Sequence, residues 1–197
     1  MAEKLLRERT KGLLASIARL ISRTGVSPNI LTLSGFLATL GVAYILALGY
    51  ERMAGLLMIP VGLFDALDGA LARVMDKVTR FGAFFDSTLD RFSEIALYLG
   101  LLHLYRESTL ATVLIYLTIT GSLMVSYTRA RAEGLGVECR VGLFTRFERL
   151  AVLVVGLLLR QTIIALIILA IFSNLTAVQR MWHVRRATTQ EGKRRDQ

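Results

Sequence analysis

Long uncharged runs alternate with short polar breaks along most of this chain, and the lengths of the runs predict its elements. Residues 26–50 contain no charged side chain, which is long enough to cross a hydrocarbon core of about 30 Å as a helix. Five further apolar runs follow, at residues 54–74, 81–103, 109–128, 147–160 (extended backward through 141–144) and 162–179. Arg160 and Gln161 leave almost no loop between the last two. Ahead of the first run the pattern changes. Over residues 2–23, Leu6, Leu13, Ile17, Leu20 and Ile21 recur at helical spacing, with Lys4, Arg7, Arg9, Lys11 and Arg19 on the remaining surface, which predicts an interfacial amphipathic helix. Gly25, Ser27 and Pro28 then break it. The expected fold class is an all-α membrane protein with six transmembrane helices and an N-terminal interfacial amphipathic helix. Its expected divisions are a juxtamembrane helix over 1–25, a six-helix domain over 26–186, and a basic polar tail over 187–197 that reads as disordered.

Composition supports the membrane class. Apolar residues make up 54% of the 197, above the roughly 45–50% of soluble domains. The net charge of +9 raises nucleic acid as a partner, but a nucleic-acid binder has no use for several uncharged runs of bilayer length. Anionic headgroups and phosphorylated substrates suit the charge better. The single cysteine, Cys139, excludes an intramolecular disulfide and a cysteine-based metal cluster. No cleavable signal peptide is expected, because charges and leucines are mixed through the first 23 residues. Lysine and arginine collect on one side of the predicted bundle: the N-terminal segment, Arg73, Lys77, Arg80, Arg129, Arg131, Arg140, Arg146, Arg149 and the tail. The other side has Arg52, Arg106 and Arg160. The positive-inside rule then predicts an integral protein of the cell membrane with both termini and the active site cytoplasmic.

Four aspartates contradict this apolar setting. Asp65 and Asp68 fall in the second predicted span and Asp86 and Asp90 in the third, each costing about 2.5–3.5 kcal/mol at mid-membrane. At about 100° per residue, Asp65, Asp68, Gly69, Ala72 and Arg73 share one arc of the second helix, while Gly82, Asp86 and Asp90 line one face of the third. A short turn joins the two helices, so the faces are expected to oppose each other as antiparallel neighbours. Four converging carboxylates repel unless cations intervene, and oxygen donors without thiolate or imidazole favour Mg²⁺ or Mn²⁺. Two ions about 3.5–4 Å apart would bridge a phosphate. Gly69 and Gly82 would let a diphosphate approach backbone, and Arg73 would neutralise phosphate charge. Three readings remain open on spacing alone: phosphoryl chemistry on a metal pair, structural ion pairs with Arg73, Arg80 and Arg91, and ion transport through an acidic site.

The run Asp65, Asp68, Gly69, Ala72, Arg73, Gly82, Asp86 and Asp90 resembles the signature of the CDP-alcohol phosphotransferase family at every fixed position. The resemblance implies that Asp65, Asp68 and Asp86 ligate two ions, and that Asp90 is the general base and a further ligand. It also implies a CDP and diphosphate site formed by Asp68, Gly69, Ala72, Arg73 and Gly82. The cytidine end would lie near the start of the first span, at Pro28, Asn29 and Thr32. Residues 125–150, VSYTRARAEGLGVECRVGLFTRFERL, look like the phosphatidylinositol-phosphate synthase branch and its archaeal counterparts, with a further match in Val178, Gln179 and Arg180.

That branch implies that Arg129, Arg149 and Arg180 grip the acceptor phosphate, with Ser126 and Arg131 supporting the pocket. Arg129 stands where bacterial members carry lysine. The positive-inside rule alone also places arginines at such positions. Glu94 is expected to pair with Arg91, and Glu148 to orient a neighbouring arginine. His103 and His183 are expected to be incidental.

The implied reaction joins a CDP-lipid donor, CDP-diacylglycerol or CDP-archaeol, to myo-inositol 1-phosphate with release of CMP. A homodimer in the lipid bilayer is expected. A same-family enzyme using glycerol phosphate, or a soluble inositol pair, is the nearer alternative, and a divalent-cation transporter the farther one. Asp65→Asn and Asp90→Asn should each abolish CMP release. Metal flux in proteoliposomes that survives Asp90→Asn but not Asp65→Asn, without CMP release, would instead identify the transporter.

Overall fold

Helix starts in this chain are written in short polar side chains. Ser27 accepts the N–H of Ile30 at 3.3 Å with Pro28 at the first helical position, Thr79 accepts that of Gly82 at 2.9 Å, and Ser108 that of Ala111 at 3.3 Å. Each satisfies an N–H that the helix cannot. Thr145 and Glu148 form a capping box, with the Thr145 N–H donating to Glu148 Oε2 at 2.9 Å.

A computed structural model describes residues 12 and 14–195, apart from the side chains of Asp65 and of residues 190–195. Helix α1 covers residues 14–22. It is followed by α2 (Pro28–Ala47), α3 (Glu51–Val74), α4 (Arg80–Leu104), α5 (Thr109–Glu133), α6 (Arg146–Leu159) and α7 (Thr162–Arg195). No strand occurs among the described residues. The predicted amphipathic helix over 2–23 lies outside the described residues up to residue 11. Its described part turns Leu14, Ile17, Ala18 and Ile21 onto Leu31 of α2 and Leu67 and Leu71 of α3.

Among the described residues, four helices, α2, α3, α5 and α7, are long and apolar enough to cross a membrane. The other two differ for physical reasons. Helix α4 has 25 residues but carries Arg80, Asp86, Asp90, Arg91 and Glu94. Helix α6 has 14 residues, about 21 Å at 1.5 Å per residue. Helix α7 runs 34 residues, through Arg195, past the point where the sequence predicts a disordered tail. Its basic end has no proline, and Arg, Lys, Gln, Glu and Ala there outnumber the weaker formers Thr188, Thr189 and Gly192. Arg160, in a left-handed conformation at φ 56°, turns the chain between α6 and α7.

All six long helices contribute to one core, which includes Leu46, Met58, Leu101, Ile115, Leu157 and Leu166. Helix α2 packs against both α3 and α4, α5 against α4 and α7, and α6 against α3 and α7. Two glycines set the closest approaches. A Cβ on Gly100 would stand 2.4 Å from the Ala43 carbonyl oxygen, and one on Gly156 would stand 2.4 Å from Ala165 Cβ, as in the small-residue contacts of membrane helices. Gly100→Ala should therefore push α2 from α4 and cost about 1–3 kcal/mol, read as a lower unfolding midpoint in detergent. Gly41→Ala, with nothing within 4 Å, should be neutral or slightly stabilising; equal midpoints for the two variants would contradict this packing.

Candidate active site

The sequence predicts α3 and α4 as facing neighbours. They stand apart instead, because each packs on α2 and the space between them forms a cleft. Thr32, Gly35 and Thr39 of α2, Asp68 of α3, Asp90, Ser93 and Glu94 of α4, and Arg146 of α6 line it, with an apolar wall of Phe36, Met58, Val61 and Leu97. Of the three predicted aspartates whose side chains are described, Asp68 and Asp90 reach this one cavity.

Asp68 is 4% exposed, and a carboxylate so buried needs donors. Thr32, one turn into α2, donates its hydroxyl to Asp68 Oδ2 at 2.7 Å. Asn29 lies at the same end, where its Oδ1 stands 3.4 Å from where a Cβ on Gly82 would be; Thr79 Oγ1 is 2.9 Å from that point. Any side chain at position 82 would close this corner. Arg73 folds back along α3, its Nη1 3.6 Å from a Cβ placed on Gly69. Ala72 is half-buried beside it. The structure therefore brings Asn29 to Gly82, Thr32 to Asp68 and Arg73 to Gly69.

On α4, Asp86 is half-buried one turn before Asp90. Asp90 has Arg146 Nη2 at 2.8 Å from Oδ1 and Arg91 Nη1 at 3.4 Å from Oδ2. Arg91 is the partner expected on the ion-pair reading; Arg146, which comes from α6, is not. Sequence reasoning assigns Arg146 no role, although its position three residues before Arg149 places both on the α6 face toward α4.

The four aspartates offer hard oxygen donors of the kind that Mg²⁺ or Mn²⁺ takes, with no thiolate or imidazole among the residues lining the cleft. Two guanidinium groups meet Asp90, so positive charge is already required there. Among the described residues no three His, Cys, Asp or Glu side chains form a closed metal-holding group; the Asp65 side chain lies outside the description. The donor type fits divalent cations, and Asp65, Asp68, Asp86 and Asp90 are the residues that would hold them.

The acceptor arginines are placed differently from one another. Arg129 pairs with Glu133 at 2.8 Å on the exposed side of α5. Arg149 is 2% exposed and its Nη2 meets Glu94 Oε1 at 2.8 Å. Arg180 is buried, its Nε donating to the Val141 carbonyl at 2.9 Å and its Nη1 to that of Val125. Ser126 is half-buried on α5, and Arg131 lines a separate groove between α5 and α7.

One expectation is corrected. Glu94 pairs with Arg149, not Arg91, because α6 reaches it across the bundle. Glu148 serves the capping box of α6. His183 Nε2 lies 3.1 Å from the Glu138 carbonyl, and His103 sits near Arg106 at the other end of α4.

Comparison with known proteins follows the same residues. The family model described as CDP-alcohol phosphatidyltransferase matches residues 25–182. The chain is 35% identical to an archaetidylinositol phosphate synthase of Pyrococcus horikoshii, over 92% of this chain and 95% of that one. It is 32% identical to a phosphatidylinositol phosphate synthase of Cutibacterium acnes, over 87% and 91%. The crystal structure of Mycobacterium tuberculosis phosphatidylinositol phosphate synthase with CDP-DAG bound superposes with a TM-score of 0.80 at 30% identity, covering 87% of this chain and 92% of that one. The same enzyme in complex with manganese and citrate gives 0.81 at 31%, covering 87% and 88%.

Thr32→Val keeps the shape of the side chain and removes its hydroxyl from Asp68. It should lower stability by about 1–3 kcal/mol, measured as thermal unfolding of purified protein; an unchanged midpoint would show that Asp68 does not depend on this bond.

Proposed function

Because the chain belongs to the CDP-alcohol phosphatidyltransferase family, we propose that it transfers the lipid phosphate of CDP-diacylglycerol or CDP-archaeol to myo-inositol 1-phosphate, releasing CMP. The observation that carries this reading is the cleft shared by Asp68 and Asp90, lined both by polar side chains (Thr32, Thr39, Ser93, Arg146) and by an apolar wall of Phe36, Met58, Val61 and Leu97. A lining of both kinds suits a donor whose head is a nucleoside diphosphate and whose tails are hydrocarbon.

In this reading the cytidine end lies by Asn29 and Thr32, and the diphosphate runs past Gly69 and Gly82, where no Cβ obstructs it. Arg73 meets phosphate charge. Asp65, Asp68, Asp86 and Asp90 would hold two Mg²⁺ or Mn²⁺, which would supply charge neutralisation at the diphosphate and acidify the nearby hydroxyl. Asp90 takes the proton of the acceptor hydroxyl as its oxygen bonds to the lipid-side phosphorus. The bond from that phosphorus to the oxygen of CMP breaks, and CMP leaves. For this Asp90 must be released from Arg146, so the ion pair opens when substrate and cations bind. Arg129, Arg149 and Arg180 receive the acceptor phosphate, a group of nearly two charges that several guanidiniums can meet bidentately, with Ser126 beside them.

The bundle crosses the cell membrane six times. Helix α4 crosses despite its charges because they face the cleft and neighbouring helices, and α6 because residues 141–145 extend its reach. Both termini and the site face the cytoplasm, where the basic residues collect. The N-terminal helix lies in the interface, packed on α2 and α3, and the enzyme works as a homodimer.

The test is CMP release from labelled CDP-lipid with a panel of phosphoalcohols in the presence of Mg²⁺ or Mn²⁺. Inositol phosphate should support turnover and chelation should abolish it. Release with glycerol phosphate but not with inositol phosphate would overturn the acceptor assignment.

A further inference from the structure

Helix α4 carries Asp86, Asp90 and Glu94 at intervals of four, so their side chains share a face. Helix α6 answers with Arg146 and Arg149 at an interval of three. The result is a ladder of two rungs, Arg146 to Asp90 and Arg149 to Glu94, each 2.8 Å long. The rungs differ in their surroundings. Arg146 keeps 34% of its side chain exposed, Arg149 only 2%. The other oxygen of Glu94 accepts the hydroxyl of Ser122, a buried residue of α5. Arg149 Nη1 donates to the Phe144 carbonyl at 3.3 Å. Its Nε–H is buried and meets no acceptor among the described residues.

Buried guanidiniums normally have their donors matched, since an unmet one costs desolvation that nothing returns. Arg149 is held at Nη1 and Nη2 and keeps its Nε–H unmatched among the described residues. Glu94 also lines the cleft that holds Asp68 and Asp90. We infer that Glu94, braced by Ser122, is a positioning residue that aims Arg149 at the phosphate of the incoming phosphoalcohol and registers that phosphate against Asp90, one helical turn away. This rests on the reading that Arg149 binds the acceptor phosphate. The consequence is specificity. The acceptor's phosphate and its reacting hydroxyl are measured off by one helix, so acceptors with a different separation are held out of register. A merely structural pair would fasten α4 to α6 and affect both substrates alike.

The experiment is steady-state kinetics of the full chain in detergent with CDP-diacylglycerol and inositol phosphate, each varied in turn. Glu94→Gln preserves size and leaves a group for Ser122, but removes the charge that holds Arg149. It should raise the KM for the acceptor about ten-fold or more and leave the KM for the donor within about two-fold. Ser122→Ala, a smaller change, should raise the acceptor KM a few-fold with the same donor KM. Parallel increases in both KM values, or an unchanged acceptor KM in either folded variant, would overturn the inference. If Glu94→Gln does not fold, Ser122→Ala decides on its own by the same criterion. Arg149→Lys separates the underlying reading: an unchanged acceptor KM in that variant removes Arg149 from the acceptor site, whatever Glu94 does.

Discussion

A carboxylate inside a bundle of this hydropathy must be met by donors or cations, and that requirement organises the half of the molecule that holds the cleft. Asp68 is met by Thr32 from α2, Asp90 by Arg146 from α6 and Arg91 from its own helix, and Glu94 by Arg149 and Ser122. Each partner from another helix is also a tie between helices. Helices α2 and α3 are joined at Asp68, α4 and α6 at both rungs, and α4 and α5 at Ser122. Replacing Glu94 by an apolar residue would strand the buried donors of Arg149 and Ser122, which ties the inner pair to one arrangement.

Exposure separates the two rungs in kind. The outer one, at Asp90, is partly solvated, so water can compensate its groups when they part. The inner one has no such compensation, because Arg149 is almost fully enclosed and Glu94 is shared with Ser122. Chemistry that needs a free carboxylate is therefore compatible with Asp90 and not with Glu94. The same four-residue spacing on α4 supplies one carboxylate that can be released and one that is fixed.

Close helix contacts complete this arrangement. Gly100 lets α4 lie directly on α2 at Ala43, and Gly156 lets α7 lie on α6 at Ala165. Since α2 takes the place between α3 and α4, those two helices cannot close on each other, and a cleft remains where the aspartates are. Glycine at 82 keeps the corner near Asn29 open for the same steric reason.

Hydropathy and motif spacing determined much of this protein without any structure. Apolar runs of bilayer length identify α2, α3, α5 and α7, since burial in hydrocarbon leaves a compositional trace along a span. The spacing of Asp65, Asp68, Gly69, Asp86 and Asp90 identifies the family, since a short-range helical period preserves which residues share a face. Residues 1–11 and the Asp65 side chain lie beyond what the structure describes.

Long-range pairing was not legible. That Glu94 takes Arg149, that Arg146 covers Asp90, and that α2 holds α3 and α4 apart depend on which helices become neighbours and at what rotation. Several arginines in the chain could have served each carboxylate on charge alone. Charge sign is local to the sequence, while the choice of partner is made by distance across the bundle, and only the packed tertiary structure sets that distance.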